Sequence, residues 1–162
     1  YGDTFADFLA RLPGLADYPQ VPEVARIEYA RVASYHAKDA APLAGETMAA
    51  VAPEALPTLV FTPHPSAQLV PTPHNGLAAF QANHAPPFPV TDGAAAALVT
   101  RPQMEVMTHA LDEPSLPFMG HLLAGKTLGE AAEASPDTLD LGAALGVALA
   151  AGAFTECRTT PP

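Results

Sequence analysis

Six histidines and one cysteine are the side chains best suited to hold a metal or attack a substrate: His36, His64, His74, His84, His109, His121 and Cys157. His64, His74 and His84 recur every ten residues. Metal-ligating pairs on a helix sit at i, i+3 or i, i+4, or else share a tight loop. Neither HxxxH nor HExxH occurs, so these read as scattered surface or loop histidines with no metal role. His36 follows Tyr35 near the end of a long helix, where a protonated imidazole suits the helix dipole. A lone cysteine allows neither an internal disulfide nor a CxxC knuckle. Placed close to the last residue, Cys157 is expected in a mobile tail. GxSxG is absent, and Ser34-Tyr35-His36 is no triad because neighbours on a helix point apart. Gly76 and Gly93 stand alone, so no phosphate loop is signalled. Glu23 and Glu28 are candidate buried acids, although a solvated helix face is the commoner fate. These residues do not indicate an enzyme.

Charge removes another class. The formal net charge of the 162-residue chain is −10, and its seven Lys and Arg residues never cluster. Phosphate binding needs a concentrated positive surface. Nineteen prolines and no tryptophan point to short elements with fixed connections, and 49% hydrophobic residues suffice for a core. No run of eighteen apolar residues exists, so no membrane span or membrane partner is expected, and the expected location is cytoplasmic. The chain opens on Tyr1 without methionine, which reads as a fragment or processed product.

The elements follow from periodicity. Thr4 is placed as an N-cap, and Phe5, Phe8, Leu9 and Leu12 fall at i, i+3, i+4, i+7 before Gly14. Pro22 opens a longer helix to Lys38, with Val24, Ile27, Val32 and Tyr35 on or near one stripe. Glu28 and Arg31 are spaced to pair on it. A short helix is expected near Gly45–Val51, and Asn75 is placed to cap one through Asn83. Leu59–Thr62 and Gln68–Val70 have strand character around Pro63-His64-Pro65, a pattern suited to an edge or a bulge. Ala85–Pro89 is stiff and irregular and marks a seam. It divides a helical part with short strands, 1–89, from a strand-hairpin and three-helix module, 90–162.

In that module Ala95–Thr100 reads as one strand and Met104–His109 as the next. Met104, Val106 and Thr108 face one way, Glu105, Met107 and His109 the other. Helices are expected over Leu116–Leu123, from the capping box Thr127-Leu128-Gly129-Glu130, and through Leu141, Ala144, Leu145, Ala148 and Leu149. Gly125 and Gly152 are the stops, and Phe154 can fold back on the core. The fold class is α+β: an amino-terminal helical part plus a small antiparallel sheet packed against three carboxy-terminal helices, as in winged-helix modules.

Such modules bind nucleic acid or an extended peptide. In a helix-turn-helix reading the last helix would enter the major groove. Here 137–151 holds no Lys or Arg, and Glu130, Glu133, Asp137 and Asp140 would face the phosphates. A short strand at a sheet edge can instead accept a guest strand, with side-chain selectivity from a groove beside the last helix. Met104 and Met107 adapt their shape, which suits such a surface, although apolar strand residues also commonly just pack on helices.

Two stretches carry a resemblance. TFADFLARLPGLADYPQVPEVARIEYARVASYHAKDAAPL is similar to the second half of HvfC/BufC-type proteins, a family that also carries a DNA-binding label. ALVTRPQMEV, LLAGKTLGEAAEAS and LGAALGVALAAGAF follow in the same family order. The last part also resembles the PqqD-like precursor-recognition element. That family's amino-terminal half has no counterpart here, and Pro65-Ser66-Ala67-Gln68-Leu69 is less basic than many members at that place. The resemblance implies a non-catalytic partner subunit of a multinuclear-iron TIM-barrel enzyme. Together they modify cysteines of a ribosomally made precursor peptide, whose leader this subunit holds. No cofactor or iron ligand is implied in this chain. In precursor-recognition elements the leader adds beside the hairpin and rests on the third helix. Carried over, that implies Met104, Glu105, Val106, Met107, Thr108 and His109, with Leu141, Leu145 and Leu149. Glu28, Tyr35 and His36 are the implied contact with the iron enzyme. The alternatives are a DNA-binding transcription regulator and a structural stabiliser of that enzyme.

Overall fold

A computed structural model describes residues 2–83 and 93–160. Ala85–Pro89 and His84 lie outside the described residues. The fold is α+β. Among the described residues the order begins with α1 (Phe5–Ala10), α2 (Gln20–His36) and α3 (Gly45–Ala49), then β1 (Leu59–Pro63), β2 (Gln68–Pro71) and α4 (Gly76–Asn83). It continues with β3 (Ala96–Thr100), β4 (Met107–Leu111), α5 (Ser115–Leu123), α6 (Leu128–Glu133), α7 (Leu141–Ala150) and β5 (Phe154–Thr159).

The strands form a three-stranded antiparallel sheet in the order β2-β3-β4 and a separate β1-β5 pair. β3 reads AALVT and is buried along its whole length, as the central strand of a sheet covered on both faces must be. Ala96 and Leu98 look toward one core, with Phe118, Met119 and Leu122 of α5 and Ala144 and Ala148 of α7. Ala97 and Val99 look toward a second core, with Ile27 and Ala30 of α2 and Leu77 and Phe80 of α4. The period-2 alternation of β3 thus divides its side chains between two helical layers. Both sheets take strands from each side of the expected boundary at 89/90, so the two expected parts are joined through β1-β5 and β2-β3.

The capping box forms as read: Glu130 N–H donates to Thr127 Oγ1 at 3.1 Å, and Thr127 N–H donates to Glu130 Oε2 at 2.8 Å. That backbone hydrogen bond holds the Glu130 carboxyl below its usual range. Gly125 and Gly152 take positive φ at the ends of α5 and α7, the left-handed geometry a helix stop needs. The register of β1 shifts at Thr62/Pro63, which places the proline at an irregularity.

Several expectations need correction. Cys157 does not lie in a tail; it sits in β5 opposite Phe61 of β1, and Phe154 packs on Phe61 with ring centroids 4.7 Å apart. The pairing partner is far away in sequence, so nothing local announces it. Thr4 makes no side-chain cap, and the α1 stripe does not enter the core: Ala6 is its one buried residue, while Phe5 and Phe8 are exposed. Val32 and Tyr35 also face outward; the inward stripe of α2 is Glu23, Ile27, Ala30 and Ser34. Arg31 crosses to the hairpin, where Nη1 donates to Thr108 Oγ1 at 2.8 Å and to Val106 O at 3.3 Å.

Candidate functional site

The second hairpin strand begins three residues later than its alternation suggests. Met104, Glu105 and Val106 are not in a strand. They lie in the turn between β3 and β4, where Thr100 pairs with Met107. Met104 adopts φ 68°, a left-handed conformation incompatible with a continuous strand. The ladder therefore starts at Met107 and runs to Leu111.

Arg101 holds this turn. Its guanidinium is buried, with Nε donating to Ser34 O at 3.0 Å and Nη2 donating to Ala37 O and Asp39 Oδ1, both at 2.7 Å. Both carbonyls belong to the end of α2; Ser34 O also accepts from Ala37 N–H at 3.3 Å, whereas among the described residues Ala37 O has no backbone donor. Nη1 reaches Met104 Sδ at 3.4 Å. The backbone N–H of Arg101 donates to Ser66 Oγ at 2.7 Å, and that hydroxyl lies 2.8 Å from His64 Nδ1. His64 Nε2 donates to Ala40 O at 3.0 Å, which leaves Nδ1 to accept. His64 is therefore a buried connector between three loops and not a surface histidine.

Glu23 is the other buried polar anchor. Its carboxylate accepts from Gly76 N–H at 2.9 Å, from His74 N–H at 3.1 Å and from His74 Nδ1 at 2.7 Å, and so caps α4 from another helix. Glu28 stays exposed. The remaining histidines are accounted for separately: His121 Nδ1 donates to Pro117 O within its own helix, and His36 is exposed with its ring edge-on to Tyr35. Among the described residues no three of His, Cys, Asp or Glu gather where a metal ion could sit.

β4 is an edge strand, and among the described residues β3 is its only ladder partner. Next to it runs a groove of about 380 Å³ between the hairpin and the end of α7. Glu105, Met107 and His109 line it from the hairpin and Leu149 and Gly152 from the end of α7, and Pro42, Leu43 and Pro102 also line it. Gly152 is required there, since a Cβ would lie 2.5 Å from Pro102 Cβ. Of the residues singled out from sequence, Glu105, Met107, His109 and Leu149 come together here. Thr108 points to the opposite face, toward Arg31. Leu145 packs on the core beside α5, and Leu141 is exposed at the start of α7; neither lines the groove. Met104 lies with Asp39, Ala40 and Arg101 in a neighbouring depression, and Val106 packs against the α2 core.

His109 is half-buried, and its Nε2 is buried with no hydrogen-bond partner among the described residues. Burial pushes its pKa below the ordinary 6.5, so the uncharged ring is favoured in the groove wall. Among the described residues that line the groove, the charged one is thus Glu105, a carboxylate, and none is Lys or Arg. Such a groove can take an extended backbone along β4 and a neutral or basic side chain toward Glu105.

Glu28, Tyr35 and His36 all lie on the outer side of α2, and Tyr35 is 63% exposed. Glu23 is buried, as one of the two candidate buried acids, but the sequence does not announce its cap of α4, the Arg101 clamp or the trough that Phe5 and Phe8 form against α2. The i, i+3 spacing of those phenylalanines signalled an apolar face but not its direction. No protein-family model matches the chain, and no curated protein or solved structure is significantly similar to it. Among the described residues no helix is long and apolar enough to cross a membrane.

Proposed function

We propose that this chain is a non-catalytic subunit that binds the leader of a ribosomally made precursor peptide and presents it to a multinuclear-iron enzyme acting on cysteines. The leader adds as a further strand along Met107–Leu111. Its side chains on one face settle between Met107, His109 and Leu149. The observation that carries this reading is a strand at the margin of its sheet with a groove beside it, walled on the other side by the end of the last helix. Main-chain hydrogen bonds supply affinity in this mode, and alternate side-chain pockets supply selectivity. The family resemblance of ALVTRPQMEV and LLAGKTLGEAAEAS supports the same assignment and names the enzyme partner.

Electrostatics favour peptide over nucleic acid. The last helix carries no cation, and its N-cap is Asp140, whose Oδ1 accepts from Ala143 N–H at 2.9 Å. Duplex DNA would meet Glu130, Glu133 and Asp137 nearby. The test is a parallel titration of the chain with a leader peptide from a Cys-containing precursor and with duplex DNA at moderate salt. Saturable peptide binding that Met107→Arg weakens supports the proposal. DNA binding with a steep salt slope and no peptide binding would replace it with the regulator reading.

A further inference from the structure

The apolar side of α1 and the outer side of α2 form an open trough of about 1020 Å³. Phe5, Phe8, Leu9, Val24, Tyr29 and Val32 supply its apolar lining. Phe5, Phe8 and Val32 are each more than half exposed, at 54%, 57% and 55%, and Tyr29 is 40% exposed. Single exposed apolar residues need no explanation, but four large ones in one concavity mark an interaction surface. Phe5 and Phe8 stack on each other at 6.4 Å, which presents them as one ridge.

Length and charge narrow the occupant. The α2 lining runs from Val21 to Val32, roughly 16 Å of helix at 1.5 Å per residue, or about three turns. The charged residues lining the trough are Asp3 and Glu28, both acidic. Of the two arginines on α2, Arg26 is tied to Asp7 at 3.0 Å and Arg31 reaches Thr108 Oγ1 at 2.8 Å. A second copy would bring another −10 of net charge and the same two carboxylates to the interface. Anionic lipid or nucleic acid would meet the same repulsion.

We infer that this trough is a docking site for an amphipathic helix of a partner protein, about three turns long, with Lys or Arg flanking its apolar stripe. The stripe lies over Phe8 and Val32, and the flanking cations meet Asp3 and Glu28. This is helix-in-groove recognition, with anchors at i, i+3 or i+4 and i+7. The site is separate from the β4 groove and does not depend on the leader reading.

The test uses the full chain and a synthetic 18-residue helical peptide with leucine on one face and lysine on both flanks. A twin peptide carries glutamate in place of lysine. The lysine peptide is expected to bind, and the glutamate twin to bind at least about tenfold more weakly. Val32→Glu, at a position 55% exposed, should weaken the lysine peptide by about tenfold or more with the far-UV circular dichroism of the protein unchanged. Glu28→Lys should narrow the gap between the two peptides, whereas Met107→Arg should change neither. No binding, equal binding of both peptides, or indifference to Val32→Glu would overturn the inference. Sedimentation of the protein alone as a dimer that Val32→Glu dissociates would assign the trough to a second copy and overturn it as well.

Discussion

Replacing Arg101 by alanine removes the group that ties the hairpin turn to the end of α2. Two of its acceptors, Ser34 O and Ala37 O, are backbone carbonyls at the end of α2; Ser34 O also accepts from Ala37 N–H at 3.3 Å, whereas among the described residues Ala37 O has no backbone donor. Hydrogen bonds from a charged donor contribute about 1.5–3 kcal/mol each. The third acceptor is different: the Asp39 side chain is 74% exposed against 5% for Arg101. Water replaces the guanidinium at Asp39, so that pair contributes under about 1 kcal/mol. Arg101→Ala is therefore expected to cost about 3–5 kcal/mol, most of it from the two carbonyl contacts. At about 2–4 °C per kcal/mol for a chain of this size, Tm falls by roughly 6–20 °C. Asp39→Ala should lower it by less than about 4 °C on the same scale. Arg101→Lys should fall between, because one ammonium cannot reproduce the planar fork. Thermal melts followed by circular dichroism decide the matter. If Asp39→Ala costs as much as Arg101→Ala, the ion pair and not the carbonyl contacts holds the turn, and the reasoning fails. An Arg101→Ala protein that melts like the parent would refute the clamp altogether.

Three further outcomes are expected. Gly76→Ala places a Cβ 2.6 Å from Glu23 Oε2 and displaces the cap of α4, for a loss of about 1–3 kcal/mol in urea unfolding; an unchanged midpoint would contradict the cap. For His109 the folded pKa lies below the 6.5 of the unfolded chain, so unfolding takes up a proton in that window. Its stabilising effect is present above 6.5 and fades as pH falls through the folded value, so His109→Phe should flatten the acid-side decline in Tm. A decline of the same slope in both proteins would count against it. Burial raises the Cys157 thiol pKa within β5, so its reaction with a maleimide near neutral pH should be slow and should accelerate in urea. Equal rates with and without urea would mean that β5 is not held.

Local chemistry made much of the fold legible. The Thr127 and Glu130 capping box, the stops at Gly125 and Gly152 and the strands near Leu59, Gln68 and Ala96 all depend on residues a few positions apart. What was hidden depends on distant partners. FTECRT becomes a strand because β1 is there to receive it, and β1 lies on the far side of β3 and β4 in sequence. Glu23 and His64 are buried because Gly76, His74, Ser66 and Ala40 satisfy them. In the hairpin, alternation runs on through Met104–Val106, while the turn is set by tertiary contacts of Arg101 and an unfavourable left-handed Met104. For the groove, the sequence indicated the strand and the last helix. It did not indicate that only the carboxy-terminal end of that helix, from Leu149, would flank the strand. Leu141 and Leu145 share a face with Leu149, yet helix periodicity does not say how far along its length a neighbour extends.

Isotope-edited NMR of the chain bound to an unlabelled leader peptide is the most direct measurement of the proposed role. Strand addition predicts backbone contacts between guest and protein along Met107–Leu111, strongest at alternate residues, with guest side chains near Leu149. Contacts confined to the helices, with no backbone contact along Met107–Leu111, would contradict it.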